Sequence, residues 1–190
     1  MESLPIANSA LAITMRPCSH FDQRPEAASP ELLVIHNISL PPATFNDFFS
    51  GRLDCTAHPY FAQLSNVRVS AHCVIFRDGR IWQYVPFAAR AWHAGVSEFD
   101  GRDKCNDFSI GIELEGCDEL PFTDEQYESL IALTVHLQQL YPAISRERIV
   151  GHQHIAPNRK TDPGPCFDWS RYLNALAKES PATIKNHRPL

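Results

Sequence analysis

Residues 109–115, Ser-Ile-Gly-Ile-Glu-Leu-Glu, alternate between large apolar side chains and small or charged ones. A period of two is typical of a β-strand whose two faces differ. The three large apolar residues share one face, which must be covered by another layer of structure. Glu113 and Glu115 share the opposite face, so the strand carries two carboxylates on the side turned away from this core.

Further strands are predicted on both sides of this segment. The apolar run Leu32-Leu33-Val34-Ile35-His36 predicts a buried strand that ends at His36. Residues 69–76 and 80–85 are rich in β-forming residues, and the Asp-Gly between them predicts a hairpin. Residues 149–152, Ile-Val-Gly-His, predict a short strand or a strand-like entry to a loop.

Helices are predicted between and after these strands. Thr123 and Gln126 have the spacing of a capping box, and the apolar stripe that follows should end before Pro142. Asp168 can cap a last helix, and a short helix is expected near Phe45. Strands interspersed with helices predict an α/β fold, with a central mixed β-sheet flanked by helices.

The composition bounds the size and the partners of the protein. A chain of 190 residues with 44% hydrophobic residues predicts a single domain spanning residues 1–190. Its core is expected at about 17–178, with 1–16 and 179–190 as peripheral tails. The net charge of −5 and the scattered Lys and Arg argue against nucleic acid as a partner. No apolar run is long enough to cross a membrane, and a monomer is favoured.

The N-terminus and the cysteines predict a location in the cytoplasm. Residues 1–17 lack a positively charged start, and the apolar stretch at 10–15 is shorter than the core of a signal peptide. The six cysteines lie far apart, which favours reduced thiols over a disulfide framework.

Two histidines and one aspartate stand where the backbone is constrained. His36 and His152 follow apolar strands, and Asp162 precedes Pro163, which restricts the preceding backbone. Two imidazoles and one carboxylate suit a catalytic zinc site that leaves a fourth position for water. From the residues alone, ordinary structural histidines remain an equal alternative, and other divalent ions suit the same ligands.

Four long segments carry a resemblance to a known family. In order along the chain, they resemble the type-2 N-acetylmuramoyl-L-alanine amidases, and within that family the cytoplasmic members that act on 1,6-anhydromuropeptides in peptidoglycan recycling. The resemblance extends from about Pro17 to Trp169. The segments are VIHNISLPP (34–42), AHPYFAQLSNVRVSAHCVI (57–75), AWHAGVSEFDGRDKCNDFSIGIELEG (91–116) and GHQHIAPNRKTDPGPCFDW (151–169).

The resemblance implies a fold, a metal and a reaction. It implies the type-2 amidase fold, shared with peptidoglycan-recognition proteins, and one zinc ion bound by His36, His152 and Asp162. It also implies that Glu113 is the catalytic glutamate and that Lys160 stabilises the reacting oxyanion. The expected reaction is hydrolysis of the amide between the D-lactyl group of a muropeptide and L-alanine. A carboxylate that moves a proton and an ammonium near developing negative charge suit this chemistry.

Several positions keep an alternative. By strand alternation alone, Glu115 is as good a candidate for the catalytic carboxylate as Glu113. Without the family motif, Lys160 would be interpreted as an ordinary exposed basic residue. In an extended segment His154 would face the same side as His152 and offer another ligand, although a role outside the metal shell is favoured. Cys166 is expected to pack rather than to bind metal.

The substrate contacts expected from the resemblance are polar and apolar. Charged and amide side chains should hold the carboxylates and carbonyls, with structural salt bridges as the alternative. Apolar side chains should form walls for the sugar, with core packing as the alternative. His72 and His93 are equally suited to line the cleft or to satisfy buried backbone groups. The expected contacts are Asn37, Arg68 and Arg159 for the polar set, and Tyr60, Trp92 and Leu114 for the walls.

Two other functions compete with the cytoplasmic amidase. The first is a peptidoglycan-binding module without hydrolytic activity, but such modules usually lack one or more zinc ligands. The second is an exported amidase of broader action on the cell wall, which a wall-binding module or a lipobox would support. Neither feature is seen in the sequence.

Overall fold

The computed structural model describes residues 11–26, 28–57, 59–62 and 68–179. Within these ranges, strands of two to seven residues are interspersed with α-helices of four to 17 residues. The strands are β1 (Ile13–Met15), β2 (Phe21–Asp22), β3 (Leu32–Ile38), β4 (Cys73–Ile75), β5 (Ile81–Gln83), β6 (Arg90–Ala91), β7 (Glu98–Phe99), β8 (Arg102–Asp103), β9 (Ser109–Glu115) and β10 (Ile149–Gly151). The α-helices are α1 (Phe45–Phe49), α2 (Pro59–Ala62), α3 (Asp124–Leu140), α4 (His152–Ile155) and α5 (Trp169–Glu179).

A six-stranded mixed sheet forms the centre of the molecule, in the order β1-β5-β4-β9-β3-β10. Strands β4, β9, β3 and β10 are parallel to one another. The hairpin partner β5 is antiparallel to β4, and β1 is parallel to β5. The predicted α/β fold with a central mixed sheet is therefore confirmed.

The pairing of β3 with β9 sets the register of the sheet. Seven consecutive pairs join the two strands, from Leu32 opposite Ser109 to Ile38 opposite Glu115. His36 lies opposite Glu113 in this ladder. Because partners in a ladder project to the same face, the two side chains are neighbours near the carboxyl ends of their strands.

One face of the sheet is covered by α3 and α5 around the largest hydrophobic cluster, which includes Ile110, Ile112 and Leu114. On the other face, a second cluster surrounds the aromatic residues of α1, and a third surrounds Leu32 and Val34. A polar group that contains His36 and Glu113 occupies the same face as these smaller clusters.

Helix α3 begins as predicted and is tied to the sheet by one glutamine. The Thr123 hydroxyl accepts a hydrogen bond from the Gln126 backbone N–H, while the Gln126 side chain accepts one from the Thr123 N–H. The amide nitrogen of Gln126 donates to the carbonyls of Ile75 in β4 and Glu115 in β9. Gln126 is fully buried, so these contacts replace those it would make with water.

The last helix and the hairpin also occur where the sequence predicts them. The Asp168 carboxylate accepts a hydrogen bond from the Arg171 N–H at the start of α5. The hairpin strands are shorter than the predicted segments 69–76 and 80–85, since β4 and β5 pair over three residues each.

Two boundaries differ from the prediction. Residues 1–16 were expected to be a peripheral tail, but β1 pairs with β5 at an edge of the main sheet, and Leu11 and Ile13 pack against the largest cluster. The strand predicted at residues 149–152 ends at Gly151, and His152 begins helix α4 instead. Among the described residues, no helix combines the length and the apolar character needed to span a membrane.

Replacing Gln126 with Ala should lower the free energy of unfolding by about 2–4 kcal/mol, because two buried carbonyls lose their donor and the cap of α3 loses its return bond. Urea denaturation measures this difference. The matched control is Glu128→Ala at an exposed position of the same helix, where a change within about 0.5 kcal/mol is expected. Equal losses in the two variants would contradict the role assigned to Gln126.

Candidate active site

Three ligand-type atoms meet at the carboxyl ends of β3 and β10. The Nδ1 atom of His36 lies 3.0 Å from Nδ1 of His152 and 2.9 Å from Oδ2 of Asp162. The distance from His152 Nδ1 to the same Asp162 oxygen is 3.1 Å. Zinc bonds of about 2.0–2.1 Å in a tetrahedron imply ligand atoms roughly 3.3 Å apart. The compact triangle therefore fits three corners of such a site.

The outer nitrogen of each imidazole, the Nε2 atom that points away from the triangle, has a hydrogen-bond partner. The Nε2 atom of His152 lies 3.0 Å from the carbonyl oxygen of Ala94. Because a carbonyl only accepts, this nitrogen carries the proton, and the lone pair on Nδ1 faces the triangle. The Nε2 atom of His36 lies 2.9 Å from Nδ1 of His93. Partners of this kind fix the orientation of a metal-binding imidazole.

The charge state of the group suits a cation. His36 and His152 are each 2% exposed, and burial lowers the pKa of His36 to about 4, so this ring is neutral at physiological pH. Burial acts to raise the pKa of Asp162, but its contacts with the two imidazoles outweigh burial and hold the pKa well below the usual range. Two imidazoles and one carboxylate form a donor set typical of zinc.

A tight contact brings Asp162 to the histidines. The Gln153 N–H at the start of α4 donates to the Asp162 carbonyl. A side chain at Gly151 would place its Cβ 2.7 Å from Cδ of Pro163, a separation that real Cβ atoms essentially never show. A glycine at the end of β10 therefore lets the loop that carries Asp162 pack directly against the strand.

Glu113 lies on the same face as His36 and is half-buried, with its Oε2 atom out of contact with solvent. Its Oε2 atom has no hydrogen-bond partner among the described residues. Burial, followed by the negative charge of Asp162, raises the pKa of Glu113 well above its usual value, and Lys160 acts in the opposite direction. A carboxylate oxygen that is buried without a hydrogen-bond partner is costly when charged, so a divalent cation beside Asp162 would stabilise the charged form of Glu113.

Residues from several elements line a cleft of about 390 Å³ around this group. Asn37 directs its amide nitrogen to Oδ1 of Asp118 and to the Pro163 carbonyl. Lys160 is exposed on one wall. The lining residues are His36, Asn37, Val69, Ser70, His93, Glu113, Asp118, His152, Arg159, Lys160, Thr161 and Asp162.

The predicted cation Arg159 lines the cleft but also has structural contacts. Its Nη2 atom donates to the carbonyls of Ala94 and Val96, each at 2.7 Å. These bonds hold the loop whose Ala94 carbonyl contacts His152. The Nη2 atom of Arg159 thus has a structural role in holding this loop.

The other predicted substrate contacts are not found among the described residues that line the cleft. The assignment of Leu114 to a sugar wall is wrong, because strand alternation turns this 1% exposed side chain into the core beneath α3. Trp92 is half-buried and stacks on His20, and Arg68 is exposed; neither is among the residues that line the cleft. The Tyr60 side chain lies outside the described part of the chain.

The two alternative ligands considered from the sequence do not join the triangle. His154 lies in helix α4 rather than in an extended segment, so it does not share a face with His152. Its Nδ1 atom instead accepts a hydrogen bond from the Gly151 N–H. Among the described residues, the group of ligand-type atoms contains His36, His152 and Asp162 but not Cys166.

The sequence left His72 and His93 undecided, and the structure separates them. Both ring nitrogens of His72 bond to backbone groups, Nδ1 to the Gly111 N–H and Nε2 to the Ala89 carbonyl. His93 instead contacts His36 and lines the cleft. The role of Asp118 beside Asn37 had no signal in the sequence, because the two residues are 81 positions apart.

Comparison with known proteins identifies similar chains. A family model described as N-acetylmuramoyl-L-alanine amidase matches residues 26–165. The chain is 60% identical over 162 residues to the 1,6-anhydro-N-acetylmuramyl-L-alanine amidase AmpD of Haemophilus influenzae, covering 83% of this chain and 88% of the relative. It is 56% identical over 169 residues to AmpD of Escherichia coli, covering 86% and 92%.

Solved structures give the same picture. A crystal structure of a selenomethionine AmpD derivative matches with a TM-score of 0.82 and 55% identity, covering 88% of this chain and 96% of that one. A complex of the N-acetylmuramyl-L-alanine amidase AmiD from Escherichia coli with anhydro-N-acetylmuramic acid-L-Ala-D-gamma-Glu-L-Lys matches with a TM-score of 0.60 and 35% identity. That match covers 80% of this chain and 60% of the AmiD chain.

Proposed function

This chain belongs to the N-acetylmuramoyl-L-alanine amidase family, and we propose that it is a zinc-dependent enzyme of peptidoglycan recycling. It hydrolyses the amide between the D-lactyl group of 1,6-anhydro-N-acetylmuramic acid and the L-alanine of the stem peptide. The proposal rests on the approach of His36, His152 and Asp162 within about 3 Å of one another, on the sheet face that also carries Glu113.

The similar proteins support this substrate. The two AmpD relatives are named for the 1,6-anhydro-N-acetylmuramyl-L-alanine amide, and the present chain covers 88–92% of their lengths. The more distant AmiD structure contains an anhydromuramyl tripeptide as its substrate. The polar cleft offers amide, ammonium and guanidinium groups to the carbonyls and carboxylates of such a peptide.

His36, His152 and Asp162 would hold the zinc ion through Nδ1, Nδ1 and Oδ2. When bound, zinc supplies Lewis acidity that polarises an amide carbonyl and makes water a stronger nucleophile near neutral pH. The protein contributes two imidazoles whose Nε2 atoms are already engaged, so the ligand atoms need little rearrangement on binding.

Glu113 is suited to move the proton. Its unpartnered Oε2 atom, on the face shared with His36, can accept a proton from the attacking water and deliver it to the departing amine of L-alanine. Glu115, the alternative on the same strand, is already engaged, since its Oε2 atom accepts the Arg77 N–H. This difference in partners favours Glu113.

Lys160 and Asn37 are suited to hold the reacting groups. The positive charge of Lys160 acts to lower the pKa of both Glu113 and His36, and the residue lines the same cleft, so its ammonium is suited to stabilise the tetrahedral oxyanion. The amide nitrogen of Asn37 is satisfied by Asp118 and Pro163. Its oxygen is therefore the group left to accept a hydrogen bond from a substrate N–H.

The competing functions are less well supported. A binding module without hydrolytic activity would not require an assembled ligand triangle beside a carboxylate whose buried oxygen has no partner among the described residues. We place the enzyme in the cytoplasm, where the anhydromuropeptides released from the wall are processed. An exported amidase of broader specificity would act on the intact polymer as well.

Product analysis tests the proposed reaction. Incubation with 1,6-anhydro-N-acetylmuramyl tripeptide should give 1,6-anhydro-N-acetylmuramic acid and a tripeptide with a free L-alanine amine, detected by mass spectrometry. Removing the metal with a chelator should abolish turnover and added zinc should restore it. Release of products from intact cell wall should be at least about tenfold slower. Cleavage at another bond, or full activity without metal, would contradict the proposal.

Glu113→Gln should lower kcat by about 10²–10⁴, since the amide cannot shuttle the proton. Zinc content should stay at one per chain, because Glu113 lies outside the ligand triangle. The matched control is Glu115→Gln, which keeps an oxygen for the Arg77 N–H and should retain turnover. Unchanged kcat in Glu113→Gln, measured on the zinc-loaded enzyme, would overturn the assignment of the proton carrier.

A further inference from the structure

His93 lies on the side of His36 that faces away from the ligand triangle. The Nδ1 atom of His93 is 2.9 Å from Nε2 of His36, and the two rings meet edge to face at 83°. The other nitrogen of His93, Nε2, is 3.2 Å from the hydroxyl of Ser109. A line of three polar groups therefore runs from the metal site into the buried start of β9.

The direction of the hydrogen bonds along this line decides whether His36 can bind a metal. His36 binds through Nδ1 only when its proton is on Nε2, which then donates to Nδ1 of His93. That nitrogen must be free of hydrogen, so the proton of His93 is on Nε2 and is donated to Ser109. In the reverse direction, Ser109 donates to His93, His93 donates to His36, and a proton on His36 Nδ1 blocks the metal.

The His93 ring packs against Gly111, where no larger residue would fit. A Cβ at Gly111 would lie 2.4 Å from Cγ of His93 and 2.5 Å from its Nδ1 atom. Gly111 is not among the residues with positive φ, so what this position requires of glycine is space rather than backbone freedom. The His93 imidazole thus lies directly on the backbone of β9 at Gly111, two residues before Glu113. Its side chain is 8% exposed.

The residue after His93 positions the second metal-binding imidazole. The carbonyl of Ala94 accepts the hydrogen bond from Nε2 of His152. The Asn106 side-chain oxygen accepts the N–H groups of both His93 and Ala94, at 3.0 and 2.8 Å. One dipeptide anchored by Asn106 therefore contacts the outer nitrogens of both ligand histidines.

We propose that His93 is a positioning residue for the metal site, which holds His36 in the tautomer that exposes Nδ1 and which is itself oriented by Ser109 and Gly111. This inference rests on the proposed zinc-dependent function. The contacts of His93 differ from those of His72, a fully buried histidine nearby. Both ring nitrogens of His72 bond to backbone groups, with Arg24 also 3.2 Å from Nε2, whereas those of His93 contact the side chains of His36 and Ser109.

Zinc affinity tests the proposal. We expect His93→Ala to weaken zinc binding by about 10–100-fold in competition with a chromophoric chelator. His93→Asn should recover most of this loss, since its side-chain oxygen can take the place of Nδ1 as acceptor, whereas His93→Phe should not. The matched control His136→Ala removes an imidazole from α3 and should bind zinc like the unaltered protein.

A second readout does not depend on any variant. Nitrogen-15 NMR of the histidine rings in the zinc-loaded protein should show His93 with its proton on Nε2 and with Nδ1 unprotonated. A proton on Nδ1 of His93 would overturn the proposal, as would unchanged zinc affinity in folded His93→Ala and His93→Phe. If the unaltered protein binds no zinc, the proposed metal-dependent function itself fails, which is a different result from a variant that binds zinc normally.

Discussion

The parallel pairing of β3 with β9 is the interaction on which the site depends. Its register puts His36 beside Glu113 on one face and leaves the opposite face to the hydrophobic core beneath α3 and α5. Because side chains alternate along a strand, a slip of one residue would exchange these faces and bury the polar pair in the core. The apolar residues that stabilise the sheet therefore also determine where its chemistry is placed.

Burial of so many polar groups is tolerated because nearly all of them have partners. The outer nitrogens of His36 and His152 are engaged by His93 and the Ala94 carbonyl, and their inner nitrogens converge on Asp162. The Oε2 atom of Glu113 is the exception within the site, among the residues the structure describes. An unsatisfied group at this point is a feature expected of a proton carrier that awaits its substrate.

The sequence predicted the features that arise from local patterns. The capping box of α3, the Asp-Gly hairpin and the alternation in β9 depend on neighbouring residues, and each occurs where it was expected. Features that depend on distant partners were missed or misplaced. Strand β1 pairs with β5, and the position of His93 depends on contacts with Ser109 and Gly111. Leu114 was assigned from the family pattern against its own strand alternation, and the alternation prevailed.

The proposed zinc site consists of Nδ1 of His36, Nδ1 of His152 and Oδ2 of Asp162. Anomalous X-ray diffraction at the zinc absorption edge, from crystals grown with one equivalent of zinc, locates the metal. We expect one strong peak, about 2.0–2.2 Å from each of these three atoms. A peak bound through Nε2 of His36, or a peak located outside this triangle, would show that the assigned ligand atoms are wrong.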